Sequence, residues 1–202
     1  MSKKLLATLT AGTIGLVGAA TVIGANPAEA AGFSGSYAPN NWTLTNSNAD
    51  GFVDTSNAPG SISLTGGNNW SYTPGQTAYT TTAAVNSLVS FNWYYSTTDW
   101  EPYYDPFGFL LNGVFTELTD PWGSQSQSGT YSTLLNAGDI FGFAVNTTDN
   151  SYGSASVTIS DFEATQVPEP ASVLGLLAFG ALGAGAKLKR NKKQDVANSH
   201  LN

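Results

Sequence analysis

The chain has 202 residues, no cysteine and one histidine, His200, which stands in a polar tail. Disulfides, thiolate chemistry, Cys-ligated metals and a histidine general base within a folded domain are thereby excluded. Residues 31–166 hold eight Asp and three Glu but no Lys or Arg, a formal charge of −11, which excludes nucleic acid, phosphate and anionic lipid as partners and admits divalent cations and neutral sugars.

Residues 1–30 have the layout of a secretory signal peptide. Lys3 and Lys4 precede an apolar run over residues 5–25, and Ala28-Glu29-Ala30 supplies the small-x-small pattern, placing cleavage after Ala30. Such a segment implies the Sec export machinery and signal peptidase as partners.

Residues 31–166 show no sustained helical period. Val89, Phe91, Trp93 and Tyr95 alternate with Leu88, Ser90, Asn92 and Tyr94, which predicts a strand with one buried face. Phe107, Phe109 and Leu111 run into Asn112-Gly113, with a further apolar run over residues 114–118, a strong hairpin signal. Further strands are expected near residues 42–44, 61–64, 77–82, 130–134, 140–145 and 155–159. Turns are expected at Gly66-Gly67, Asn136-Ala137-Gly138-Asp139 and Asp149-Asn150. The expected fold is all-β, an antiparallel jelly-roll-like sandwich of about eight strands. Trp93, Phe91, Phe109 and Phe143 belong to its core. Flanking it are an N-terminal signal helix and a C-terminal transmembrane helix.

The segment Asp99-Trp100-Glu101-Pro102-Tyr103-Tyr104-Asp105-Pro106 carries three carboxylates and three aromatics on a predicted loop. Calcium takes oxygen ligands from loops between rigid strands, so Asp99, Glu101, Asp105 and, from a later loop, Asp149 are candidate donors. A solvated acidic loop accounts for the same residues. Trp100, Tyr103, Tyr104 and Trp122 are candidates for stacking on sugar C–H faces, with core positions as the other reading of Trp100 and Trp122. A glycosidase would need two carboxyl groups about 5 to 9.5 Å apart. Asp99, Glu101, Asp105 and Glu117 are available, but no Arg or His accompanies them, and a non-catalytic domain is expected.

The C-terminal region has three parts in order. Val167-Pro168-Glu169-Pro170 comes first, then an apolar run over residues 171–186, then a basic cluster over 187–193. As a helix the run would span about 24 Å, near the roughly 30 Å hydrocarbon core, and Lys187, Lys189 and Arg190 would stop it at the cytoplasmic face. Residues 194–202 would be a polar cytoplasmic tail, leaving 31–166 outside.

This order resembles the PEP-CTERM sorting signal of exported bacterial proteins. The resemblance implies an exosortase, a membrane transpeptidase-like enzyme, as partner in bacteria that make extracellular polysaccharide. It implies Val167, Pro168, Glu169 and Pro170 as the recognised motif. From Phe33-Ser34-Gly35-Ser36-Tyr37 to Ser160-Asp161-Phe162 the chain also resembles CUB-like or lectin-like sandwiches, without the CUB cysteines; that likeness implies calcium at a loop cluster.

The expected protein is therefore exported, held in the membrane by its C-terminal helix during sorting, and placed at the cell surface or in the matrix. There it contacts extracellular polysaccharide, with calcium as the candidate ion. A structural coat protein or an ice-binding type, with no defined glycan ligand, is the alternative, and a carboxylate-dependent glycosidase a lesser one.

Overall fold

The computed structural model describes residues 30–167. Among them are eleven strands: β1 (Ala30–Ala31), β2 (Thr43–Ser47), β3 (Phe52–Asp54), β4 (Ser61–Thr65), β5 (Gly75–Thr82), β6 (Ser87–Thr97), β7 (Phe107–Leu111), β8 (Val114–Glu117), β9 (Ser126–Leu135), β10 (Ile140–Thr147) and β11 (Ala155–Gln166). The expected signal and transmembrane helices, the sorting residues Pro168, Glu169 and Pro170, and the basic stop at Lys187, Lys189 and Arg190 lie outside the described residues, as does Ala28. Among the described residues no helix is long and apolar enough to cross a membrane.

The strands form two antiparallel sheets. One has the order β3-β4-β11-β6-β9, with β1 pairing on β11; the other has the order β2-β5-β10-β7-β8. Every pairing is antiparallel, and the inner faces of the sheets close on one core, the jelly-roll-like sandwich that strand alternation predicts. Along β6, Val89, Phe91, Trp93 and Tyr95 are buried while Leu88 and Tyr94 face solvent.

The β7–β8 hairpin turns through Asn112 at φ 50° and Gly113 at φ 82°. Both central residues are left-handed, as a two-residue type I′ turn demands, and Asn-Gly meets that demand at low steric cost.

The core is unusually aromatic. Trp42 stacks on Tyr79 (centroids 5.1 Å, 15° between planes) and on Phe143 (5.4 Å, 9°), and Phe33 stacks on Phe162 (5.0 Å). Trp42 was expected at the start of a strand. It instead follows a short 3-10 helix (Pro39–Asn41), and β2 begins at Thr43. Its indole N–H donates to the Tyr37 carbonyl at 2.9 Å, which satisfies the one polar atom such a ring carries into the core.

Phe162 reaches that core through a β-bulge. The pairing of β11 with β6 slips by one residue between Ser160 and Glu163, and Asp161 holds φ 49°. Without the extra residue the two-residue period would send Phe162 to solvent; with it, Val157, Ile159, Phe162 and Ala164 are all buried.

Strand register places five connections at one end of the sandwich. Ser47 pairs with Gln76, Phe52 with Thr65, Thr65 with Ser156, Thr97 with Ala155, Ser96 with Ser126, and Gly108 with Glu117. Residues 48–51, 66–74, 98–106, 118–125 and 148–154 therefore emerge together.

Candidate functional site

This loop end carries the aromatic and acidic residues singled out from the sequence. Trp100 is 85% exposed and Trp122 is 71% exposed, so both stand outside the core. Tyr103 is exposed as well and stacks on Trp122 with centroids 5.3 Å apart and planes 10° apart, while Tyr104 meets Tyr103 edge to face at 5.3 Å. The two loops are fastened by the Tyr103 N–H, which donates to the Pro121 carbonyl at 3.1 Å. Asp120 caps its own turn, its Oδ1 accepting the Trp122 N–H at 3.0 Å.

Of the four carboxylates expected to gather, the structure brings three into electrostatic reach. Asp105 is 0% exposed and Asp99 2% exposed, and Asp149 is half-buried in the β10–β11 loop. Glu101 is exposed and is not among the charges acting on the others. Asp105 Oδ2 accepts the Thr97 hydroxyl at 3.1 Å, but its Oδ1 is buried with no partner. Asp99 Oδ1 accepts the Trp100 N–H at 2.5 Å, and its Oδ2 is likewise buried and unpartnered.

Burying a carboxylate disfavours its charged form. Burial, reinforced by the charges of Asp99 and Asp149 against the pull of the Thr97 and Thr147 hydroxyls, pushes Asp105 up to about 7. Burial also raises Asp99, with Asp149 adding to it and the Trp100 N–H opposing. These orphaned oxygens call for a proton or a cation. Among the described residues no three Asp, Glu, His or Cys side chains form a group able to hold a metal ion. Glu117, on β8, is also raised by burial, with the nearby Asp120 charge adding to it.

Asp99, Trp100, Tyr104, Asp149 and Tyr152 line a cavity of about 330 Å³. Tyr152 is a residue that strand reasoning passes over. It also belongs to an exposed aromatic trio with Trp70 and Tyr72, each pair edge to face at 6.2–6.4 Å. The loops behind the trio are tied by two asparagines. Asn150 Nδ2 donates to the carbonyls of Asn48 and Thr73 at 2.7 and 2.9 Å, and the Asn150 carbonyl accepts the Trp70 N–H at 2.8 Å. Asn48 Nδ2 donates to Thr73 Oγ1 at 2.6 Å and to the Pro74 carbonyl at 2.9 Å. The signal available in the sequence was the one that picked out Trp100 and Trp122, aromatics in turn-rich segments outside any alternation.

A second groove, about 340 Å³, lies on the six-stranded sheet beside the bulge, lined in part by Ser90, Asn92, Thr130, Asp161 and Glu163. The outer face of that sheet carries cross-strand rows of polar side chains. One runs Thr65, Ser156, Ser96, Ser126 and another Ser61, Ser160, Asn92, Thr130.

No curated protein matches the chain. Among solved structures it is similar to a family 35 carbohydrate binding module from Clostridium thermocellum, with 12% identity, 67% of this chain and 98% of that chain covered, and a TM-score of 0.33. It is also similar to CBM35 from Paenibacillus barcinonensis, with 15% identity, 65% and 96% coverage, and a TM-score of 0.32. A Podospora anserina GH26-CBM35 beta-(1,4)-mannanase matches at 17% identity over 64% of this chain, with a TM-score of 0.30, and this chain spans 29% of its length. All three are distant likenesses. Residues 166–190 match the family described as the PEP-CTERM protein-sorting motif, so this is an exported protein that carries an exosortase sorting signal.

Proposed function

We propose that this protein is sorted by an exosortase to the cell surface or extracellular matrix, where the loop end of its sandwich contacts polysaccharide without catalysis. The observation that supports this most directly is the exposure of Trp100, Tyr103 and Trp122 beside an acidic cavity, all on loops fixed by hydrogen bonds to a rigid sandwich. Exposed rings on a rigid frame can stack on the C–H faces of sugars at little entropic cost, while the carboxylates accept from hydroxyls.

Binding of the full-length protein, kept in a detergent without a sugar headgroup, to a panel of polysaccharides tests the reading, with calcium and then with a chelator. Saturable binding abolished by Trp100→Ala supports it, and loss on chelation would assign calcium an assisting role at Asp99, Asp105 and Asp149. Failure to bind any glycan in either condition would sink it. The rows of hydroxyls on the six-stranded sheet favour a second reading, a structural coat protein with no defined glycan, and that reading would then stand.

A further inference from the structure

The cavity between Asp99 and Asp149 has a chemistry more specific than sugar stacking. Three of its five lining side chains are aromatic (Trp100, Tyr104 and Tyr152) and two are carboxylates. A ring face attracts a cation through its quadrupole, and a carboxylate adds a charge-assisted hydrogen bond. Together they suit an organic ammonium, whose positive charge is spread over several N–H donors.

Asp99 gives this an independent footing. Its Oδ2 is buried and unpartnered, and an orphaned buried carboxylate oxygen costs more than a paired one. With no Lys or Arg in residues 31–166, the domain supplies no ammonium or guanidinium of its own to that oxygen. A divalent metal fits the surroundings less well. Calcium wants six to eight oxygen ligands, and among the described residues no three acidic, His or Cys side chains form a metal-holding group.

We propose that this cavity receives the primary ammonium of an amino sugar within a polysaccharide, a hexosamine unit that lacks its N-acetyl group. The inference rests on the glycan-contacting reading above and names the class of glycan. A polymer is favoured because open aromatic surface continues outward from two of the rings that line the cavity. Tyr152 links it to Trp70 and Tyr72, and Tyr104 meets Tyr103, which stacks on Trp122 of the 118–125 loop. Trp70, Tyr72 and Tyr152 hold φ of 63°, 55° and 64°, a left-handed conformation that bulky side chains rarely adopt. The Asn48 and Asn150 hydrogen bonds maintain it, so the backbone is strained in the segments that present these rings to solvent. The formal charge of −11 over residues 31–166 draws a polycationic glycan and repels a uronate polymer.

The test is calorimetric titration of the full-length protein, in a detergent without a sugar headgroup, against three oligomers of equal length: glucosamine, N-acetylglucosamine and glucose. The expected result is about tenfold or greater preference for the glucosamine oligomer, ~1.4 kcal/mol or more. Asp149→Asn, which keeps the oxygen that accepts the Ser151 N–H, should abolish that preference with an unchanged circular dichroism spectrum. Asp54→Asn, on an exposed carboxylate at the far end of β3, removes the same charge and should leave the preference intact. Equal affinity for all three oligomers overturns the ammonium assignment and leaves the glycan reading standing. Binding to none overturns both. A preference that survives Asp149→Asn, or falls equally with Asp54→Asn, reduces the effect to net charge and overturns the cavity. A lysine-rich peptide bound more tightly than the glucosamine oligomer overturns the sugar in favour of a protein partner.

Discussion

Asp105 makes the stability of the sandwich depend on pH in a direction opposite to that of an ordinary paired carboxylate. Its side chain is fully buried, and its pKa rises from an ordinary 3.8 to about 7. The folded state therefore holds the proton more tightly than the unfolded chain. The favourable contribution of the neutral acid is fully present below about pH 4 and is lost as pH rises through 7. The two values lie about three pH units apart at about 1.4 kcal/mol each, so the carboxylate costs about 4 kcal/mol of stability by pH 8. Asp105→Asn keeps the shape and cannot ionise. Urea unfolding of both proteins between pH 4 and pH 8, with calcium chelated, should show the difference in stability moving toward the variant by up to about 4 kcal/mol across that range. Two curves that stay parallel would refute the reasoning, because they would mean that the buried carboxylate ionises without penalty. Calcium restored at pH 8 should stabilise the wild type selectively if a cation neutralises the site.

Three other outcomes are expected. Trp100→Ala should leave thermal stability within about 0.5 kcal/mol, since the side chain is 85% exposed, while polysaccharide affinity falls; a matching loss of stability would place the ring in the fold rather than the interface. Trp42→Ala removes a ring stacked on Tyr79 and Phe143, and should cost about 3–5 kcal/mol in denaturant unfolding. Asn150→Ala loses two side-chain donors to the Asn48 and Thr73 carbonyls and puts alanine at φ 54°; about 2 kcal/mol or more of stability should go, with increased hydrogen exchange confined to residues 66–74 and 148–154.

The elements were legible wherever one local pattern sufficed. Period-two alternation gives β6, and Asn112-Gly113 gives the β7–β8 turn, because each depends on a few consecutive residues. β9 was expected over residues 130–134 and runs Ser126–Leu135, because its first residues, Ser, Gln, Ser and Gly, have little strand preference of their own. They are held by pairing with Trp93, Tyr94, Tyr95 and Ser96. The three-residue β3 was not foreseen for a different reason: Phe52 and Val53 favour strands, but three residues are too few to show an alternation. The bulge at Asp161 did leave a trace, since the apolar spacing Val157, Ile159, Phe162, Ala164 breaks step by one residue.

The sorting signal is read from linear order alone: a motif, an apolar run and a basic cluster mark residues 167–193 without any fold, and the family match covers residues 166–190. The loop end of the sandwich could not be read that way. Asn40-Asn41-Trp42 and Asn68-Asn69-Trp70 are the same tripeptide, each followed by a hydroxyl residue. Yet Trp42 is buried against Tyr79 and Phe143, while Trp70 stands in solvent with its N–H held by the Asn150 carbonyl. Local sequence determined that each lies beside a turn. Which ring enters the core was decided by what the paired strands place beside it: Tyr79 lies 37 residues along the chain from Trp42 and Asn150 lies 80 residues from Trp70, and each pair meets only once the strands have paired.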